Sequence, residues 1–143
     1  MKDWWTADDA RAYDERAACM ADQYSSYTVV GDLKANGKLT LGDDVADNGG
    51  LRIALRALLN KLGPAANQKI DGLTATQRYF LAFAQGWCSN ETDEFARLLT
   101  KVDAHSLPKQ RVNVPMSNME EFREAFSCKK GQPMAPANSC RIW

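Results

Sequence analysis

The sequence has no surplus charge, no long apolar run, no close pair of cysteines and a single histidine, His105. Lysine plus arginine number 18 and aspartate plus glutamate 18, for a formal net charge of zero. A nucleic-acid binder normally carries a basic excess, so the balance argues against that class. The apolar stretches at residues 51–59 and 79–84 fall well short of the ~18 residues that span a bilayer, and Arg52 and Arg56 break the first. No membrane association is expected. Met1-Lys2-Asp3-Trp4-Trp5-Thr6 does not follow the basic-then-apolar order of a secretory signal, so none is expected at this end. Cys19, Cys88, Cys128 and Cys140 include no Cys-x-x-Cys, which argues against a zinc ribbon or finger. Four cysteines allow three pairings. Free buried thiols and the long-range disulfides of an extracytoplasmic protein both suit such wide spacing.

What is present is an ordinary globular composition, 45% hydrophobic and 25% charged over 143 residues, enough for one domain with one real core. A helix is predicted from Thr6, where Asp9 completes a capping-box pattern. Ala10, Tyr13, Ala17, Met20 and Tyr24 then form one apolar stripe. Residues 27–30 are β-branched and aromatic, and Asn36-Gly37 within 34–40 is a turn signal, which together suggest a short extended segment or hairpin. Thr40 and Asp43 suggest a second capping box, opening a helix with the stripe Leu51, Leu55, Leu58, Leu62 and a stop at Gly63-Pro64. Gly49-Gly50 inside that helix costs roughly 1 kcal/mol per glycine, so something should approach the backbone there. After a loop at 64–72, Thr74 and Gln77 open a third helix running to Trp87, with Tyr79, Phe80 and Phe83 on its face. A fourth helix is predicted over 91–100, an irregular segment over 102–114, a fifth helix capped by Ser117 and Glu120 and running to Phe126, and an aperiodic tail over 129–143. The fold class is mainly α, an irregular bundle of about five helices with a short extended or hairpin segment.

Two constellations can carry chemistry. Asp43 and Asp47 stand at i and i+4, so both carboxylates share one helical face near its start. That placement suits a metal ligand beside a carboxylate that orients another ligand, although acids also favour a helix start for its dipole alone. Asp103-Ala104-His105-Ser106 is followed by Arg111-Val112-Asn113, and a histidine with an arginine can stabilise an oxyanion and hold a carbonyl. A serine hydrolase is poorly supported, because no Gly-x-Ser-x-Gly elbow exists. No glycine-rich phosphate loop is present either.

Taken in order, Asp3-Trp4-Trp5-Thr6, Thr40-Leu41-Gly42, Ala46-Asp47-Asn48-Gly49-Gly50, Phe83-Ala84-Gln85-x-Trp87-Cys88, His105-Ser106, Arg111-Val112-Asn113, Ser117-Asn118-Met119 with Phe122, and Cys140-Arg141-Ile142-Trp143 resemble the C-terminal part of the neprilysin and endothelin-converting-enzyme family of zinc metallopeptidases. The resemblance covers the whole chain. It implies that residues 1–143 form one C-terminal subdomain, like the C-terminal portion of a gluzincin-type peptidase domain. It also implies an extracytoplasmic, periplasmic or secreted, location. The family's third zinc ligand is the glutamate of Glu-Asn-x-Ala-Asp, and Asp43 takes its place. Asp47 matches the carboxylate that orients a zinc-binding histidine, His105 the histidine that stabilises the tetrahedral transition state, and Arg111 the arginine that binds a substrate carbonyl. Cys19 and Cys140 resemble a disulfide pair, whereas Cys88 and Cys128 resemble cysteines whose partners lie in the N-terminal part of the full enzyme.

Three departures shape the functional expectation. The His-Glu-x-x-His helix, which supplies two zinc ligands and the general base, is missing from a sequence with one histidine. Asp43 is shorter than glutamate by one methylene, roughly 1.5 Å of reach. Val114 stands where the family usually has glycine. The expectation is a helical unit that carries third-ligand and transition-state positions, binds no stoichiometric zinc and cleaves no peptide unless the N-terminal part is supplied. The alternatives are a stand-alone, non-catalytic binding module and a metal site shared between two copies. Loss of the upstream part should also expose apolar surface, with Trp4, Trp5 and Trp87 as candidates, and favour a homodimer.

Overall fold

The structure, a computed structural model, describes residues 4–142. Asp3 of the first motif and Trp143 of the last lie outside the described residues. The described residues form six α-helices, a 3-10 turn and one two-stranded hairpin, so the mainly α expectation holds. Helix α1 (Ala7–Ser26) starts as predicted, with the Asp9 amide donating to Thr6 Oγ1 at 3.1 Å. Its inner face is Ala17, Met20, Ala21 and Tyr24. Strands β1 (Thr28–Val30) and β2 (Leu33–Lys34) pair antiparallel around Gly31, whose φ of +60° suits glycine. The hairpin therefore turns at Gly31-Asp32 and not at Asn36-Gly37. Gly37 serves packing instead: a Cβ there would overlap the Ala21 carbonyl oxygen and lie 2.9 Å from Tyr24 Cβ.

Helix α2 (Leu41–Leu62) is the central element, but its predicted capping box does not form. Thr40 has φ −94° and ψ 1°, which turns its hydroxyl inward, where it donates to Asp44 Oδ2 at 2.7 Å. Of the two glycines, Gly49 is buried and borders a crevice with Cys140 and Ile142, whereas Gly50 faces open space. The helix stops at Gly63 as predicted, and part of the expected loop winds into a 3-10 turn (Gly63–Asn67). Helix α3 (Ala75–Gly86) has the full reciprocal capping box of Thr74 and Gln77. Helix α4 (Asp93–Val102) begins after Thr92, two residues later than expected.

The largest correction is at residues 102–114, predicted irregular. Helix α5 (Pro108–Ser117) fills most of this segment, with Pro108 in its first turn, where a missing N–H costs nothing. Ser117 ends α5, its hydroxyl donating to the Val114 carbonyl at 2.9 Å, and does not cap the next helix. Helix α6 (Glu120–Ala125) has Met119 at its N-cap and no side-chain capping bond.

Helices α2 and α5 pack together and join two apolar clusters. One contains Ala17, Met20 and Tyr24 of α1, Val45 of α2, Val114 of α5, and Cys140 with Ile142 of the tail. The other contains Leu51 and Leu55 of α2, Phe80 of α3, Met116 of α5 and Met119. Val114, expected to be glycine by resemblance, is fully buried here and fills core volume. The Cys19–Cys140 disulfide ties the tail to α1, and Arg16 donates to the Ile142 carbonyl at 2.7 Å beside it. Cys88 and Cys128 are free, the first exposed and the second half-buried.

Candidate functional site

The packing of α5 on α2 decides the geometry. Asp43 and Asp47 lie one turn apart on α2, and Arg111 approaches both from α5. Its Nε donates to Asp47 Oδ2 at 2.7 Å and a terminal nitrogen to Asp47 Oδ1 at 2.8 Å, a bidentate fork. The same terminal nitrogen lies 2.9 Å from Asp43 Oδ2. That approach is an ion pair without hydrogen-bond alignment, for Asp43 Oδ2 is buried and has no well-directed donor. Trp87, at the end of α3, closes the other side, with the Arg111 guanidinium stacked 4.1 Å from its ring centre. The hydrogen bond to Asp47 holds the Arg111 guanidinium even more firmly protonated than usual, with the charges of Asp47, Asp43 and Asp44 adding to it.

His105 lies on the loop between α4 and α5. Its Nδ1 is 2.7 Å from Asp103 Oδ1, which also accepts the His105 backbone amide at 3.0 Å. The side chain is exposed, and the Asp103 hydrogen bond raises its pKa, helped by the charges of Asp103 and Asp43 and opposed by Arg111. The same hydrogen bond lowers the pKa of Asp103. The structure therefore brings Asp43, Asp47 and Arg111 into contact and sets His105 within electrostatic reach of Asp43 and Arg111.

Asp44, fully buried behind this cluster, was no candidate in the sequence. Burial pushes its carboxyl up to about 6, against the stabilising hydroxyls of Thr40 and Ser106, with Asp47 and Asp43 adding repulsion. The Ser106 hydroxyl acts on it from nearby, yet Ser106 Oγ and Asp44 Oδ1 form no well-directed hydrogen bond. The folded-state value lies above the unfolded one. The stability that this group contributes is full below pH ~4 and is lost as pH rises through about 6. Asp44→Asn is expected to raise stability at pH 7 by roughly 2 kcal/mol, since its amide can donate to Ser106. It should also flatten the pH dependence between those values. Urea midpoints at pH 4 and pH 7 check this.

Trp87 and Asp103 complete the site: Asp103 belongs to the sequence constellation around His105 but had no role assigned, and Trp87 was placed on a helix face. The available signal was their nearness in sequence to motif residues: Trp87 in Phe83-Ala84-Gln85-x-Trp87, and Asp103 two residues before His105. A zinc ion can be tested against the donors present. Among the described residues no group of three or more His, Cys, Asp or Glu can hold a metal. The Asp43 carboxylate is turned to Arg111. These residues alone do not make a zinc site.

The helical scaffold that carries these residues is similar to that of solved zinc metalloproteases. The structure of the Mycobacterium tuberculosis zinc metalloprotease Zmp1 in complex with an inhibitor superposes with a TM-score of 0.92 at 34% identity, over 100% of this chain and 23% of that one. PepO from Lactobacillus rhamnosis superposes with a TM-score of 0.78 at 29% identity, over 99% of this chain and 20% of that one. The chain belongs to Peptidase family M13, whose sequence pattern matches residues 1–142. Among curated relatives, Neprilysin-1 of Caenorhabditis elegans is 38% identical over 100% of this chain, and an endothelin-converting enzyme homolog of Locusta migratoria is 42% identical over 98%. The chain spans about a fifth of the length of these relatives, 20% in both.

Proposed function

We propose that this chain is the C-terminal, substrate-gripping part of an M13 zinc peptidase active site, and that it becomes catalytic only when other sequence supplies the remaining metal ligands and the general base. The observation that carries this reading is the Arg111 fork. A guanidinium fixed by Asp47 and stacked on Trp87 is preorganised, so it offers N–H donors to a peptide carbonyl with little reordering. His105, kept protonated to higher pH by Asp103, would donate from Nε2 to an oxyanion. Asp43 would give the third zinc ligand, an oxygen, once a metal displaced it from Arg111. Asp47 would then be shared between Arg111 and an incoming histidine. An oxidising, extracytoplasmic compartment goes with this reading, supported by the Cys19–Cys140 bond. The runner-up, a non-catalytic binding module, draws on the Asp43–Arg111 pair, which occupies the would-be ligand without any metal.

A chimera separates the two. The chain is grafted in place of the matching C-terminal fifth of the locust relative and assayed for chelator-sensitive peptide hydrolysis. The expected result is measurable turnover, increased by Asp43→Glu and reduced at least a hundredfold, an order of magnitude set by loss of one oxyanion donor, by His105→Gln or Arg111→Met. A folded chimera that binds zinc without turning over, even with Asp43→Glu, would establish the runner-up. The 143-residue chain alone is expected to show no chelator-sensitive turnover.

A further inference from the structure

Helix α4 has two different apolar faces. Ala96 is buried against β1, with Leu99 and Thr100 half-buried on the same side. A second stripe, Phe95, Leu98 and Val102, points outward and stays 49%, 53% and 68% exposed. The spacings of three and four put these side chains on one line. Burying such a stripe in water is favourable, and three adjoining large apolar residues form a patch rather than scattered exposure. Of the aromatic residues expected to be bared, Trp5 packs on Tyr13 and Trp87 lies under Arg111, and only Trp4 is widely exposed among the three.

The charges beside the stripe say what covers it. Glu94 and Lys101, seven residues apart, lie along the same edge of the stripe. Both are exposed, and neither makes an ion pair or side-chain hydrogen bond among the described residues. One carries negative charge near the helix start and the other positive charge near its end, so the stripe is complementary to itself in reverse. We propose that two copies of this chain associate through α4, antiparallel about a two-fold axis near Leu98. Phe95 then packs towards Val102 of the partner subunit, Leu98 meets its own copy, and Glu94 lies beside Lys101 of the partner subunit, twice over by symmetry. A parallel arrangement would set the Glu94 edge against Leu99 and leave both charges unpaired. One ten-residue helix per copy makes a small interface, so the dimer is weak and reversible.

The test is sedimentation equilibrium of the full chain from low micromolar to near-millimolar concentration. Wild type is expected to dimerise in this range, and Leu98→Glu to abolish it. Glu94→Lys and Lys101→Glu should each weaken self-association by about tenfold, because two modest attractions become two repulsions. An equimolar mixture of the two single variants should recover wild-type affinity, since their edges again carry opposite signs. All substitutions are at exposed positions, and unchanged thermal melts establish that the variants are folded. A wild-type monomer throughout would overturn the proposal, and so would a dimer indifferent to Leu98→Glu or a mixture that fails to recover. A stripe covered by sequence outside these 143 residues would give the first of these results.

Discussion

Replacing Cys19 and Cys140 by alanine is expected to lower stability by about 2–5 kcal/mol, roughly a 10 °C fall in Tm for a domain of this size. The bond joins residues separated by 121 positions, so it closes nearly the whole chain into one loop. In the chain-entropy account, a loop of about 100 residues already removes ~4.7 kcal/mol of unfolded-state freedom. Opposing this, the tail has non-covalent anchors that survive: Ile142 in the α1 cluster, the Arg16 bond to its carbonyl, and the Cys140 amide donating to Asn118 Oδ1 at 3.1 Å. The two hydrogen bonds contribute ~1 kcal/mol each, and with the burial of Ile142 they replace only part of the cross-link. Urea unfolding of the oxidised wild type and the double variant measures the difference. A loss below about 1 kcal/mol, within the range of one hydrogen bond, would mean that docking of the tail, and not the covalent loop, carries the stability. Cys88→Ser and Cys128→Ser serve as controls, expected within ~0.5 kcal/mol of wild type because neither is bonded or fully buried.

The same tail marks where the sequence was legible and where it was not. Strong periodicity with a side-chain cap was readable: α1 and α3 begin at the expected threonines, α1 buries Ala17, Met20 and Tyr24 of its stripe, and α3 buries Phe80 with Tyr79 and Phe83 partly buried beside it. Where tertiary contacts overrode local signals, reading failed. Thr40 has the composition of a cap, but its hydroxyl is drawn inward by Asp44, a carboxylate that only the packed structure shows to be buried. Helix α5 contains two prolines, and neither interrupts it. In the structure Pro108 sits in the first turn, and Pro115 lies inside a helix held by burial of Val114, Met116 and Ser117. The i,i+4 aspartates were legible as a pair, but their counter-ion was not, because the contact spans 64 residues. The role of Trp87 was hidden for the same reason: a ring on the α3 face looks like core until Arg111 is placed over it.

That arginine carries the other large effect. Arg111→Met is expected to destabilise the chain by about 3–5 kcal/mol, the range for removing one partner of a buried ion pair. Asp43, Asp47 and Arg111 have side chains only 24%, 13% and 15% exposed, so water cannot take over the lost charge cheaply. Fully buried Asp44 behind them adds a third carboxylate to the uncompensated set. Arg111→Lys keeps the charge but cannot reproduce two parallel bonds to Asp47 and a third approach to Asp43, nor the flat stacking on Trp87. It should fall between, at about 1–2 kcal/mol. Adding Asp43→Asn and Asp47→Asn to Arg111→Met should recover most of the loss, because the penalty lies in the stranded carboxylates more than in the missing bonds. A thermodynamic cycle over these variants, read by urea unfolding, distinguishes the cases. If the triple variant is no more stable than Arg111→Met alone, the arginine acts by packing on Trp87, and the carboxylates are free to serve a metal without cost to the fold.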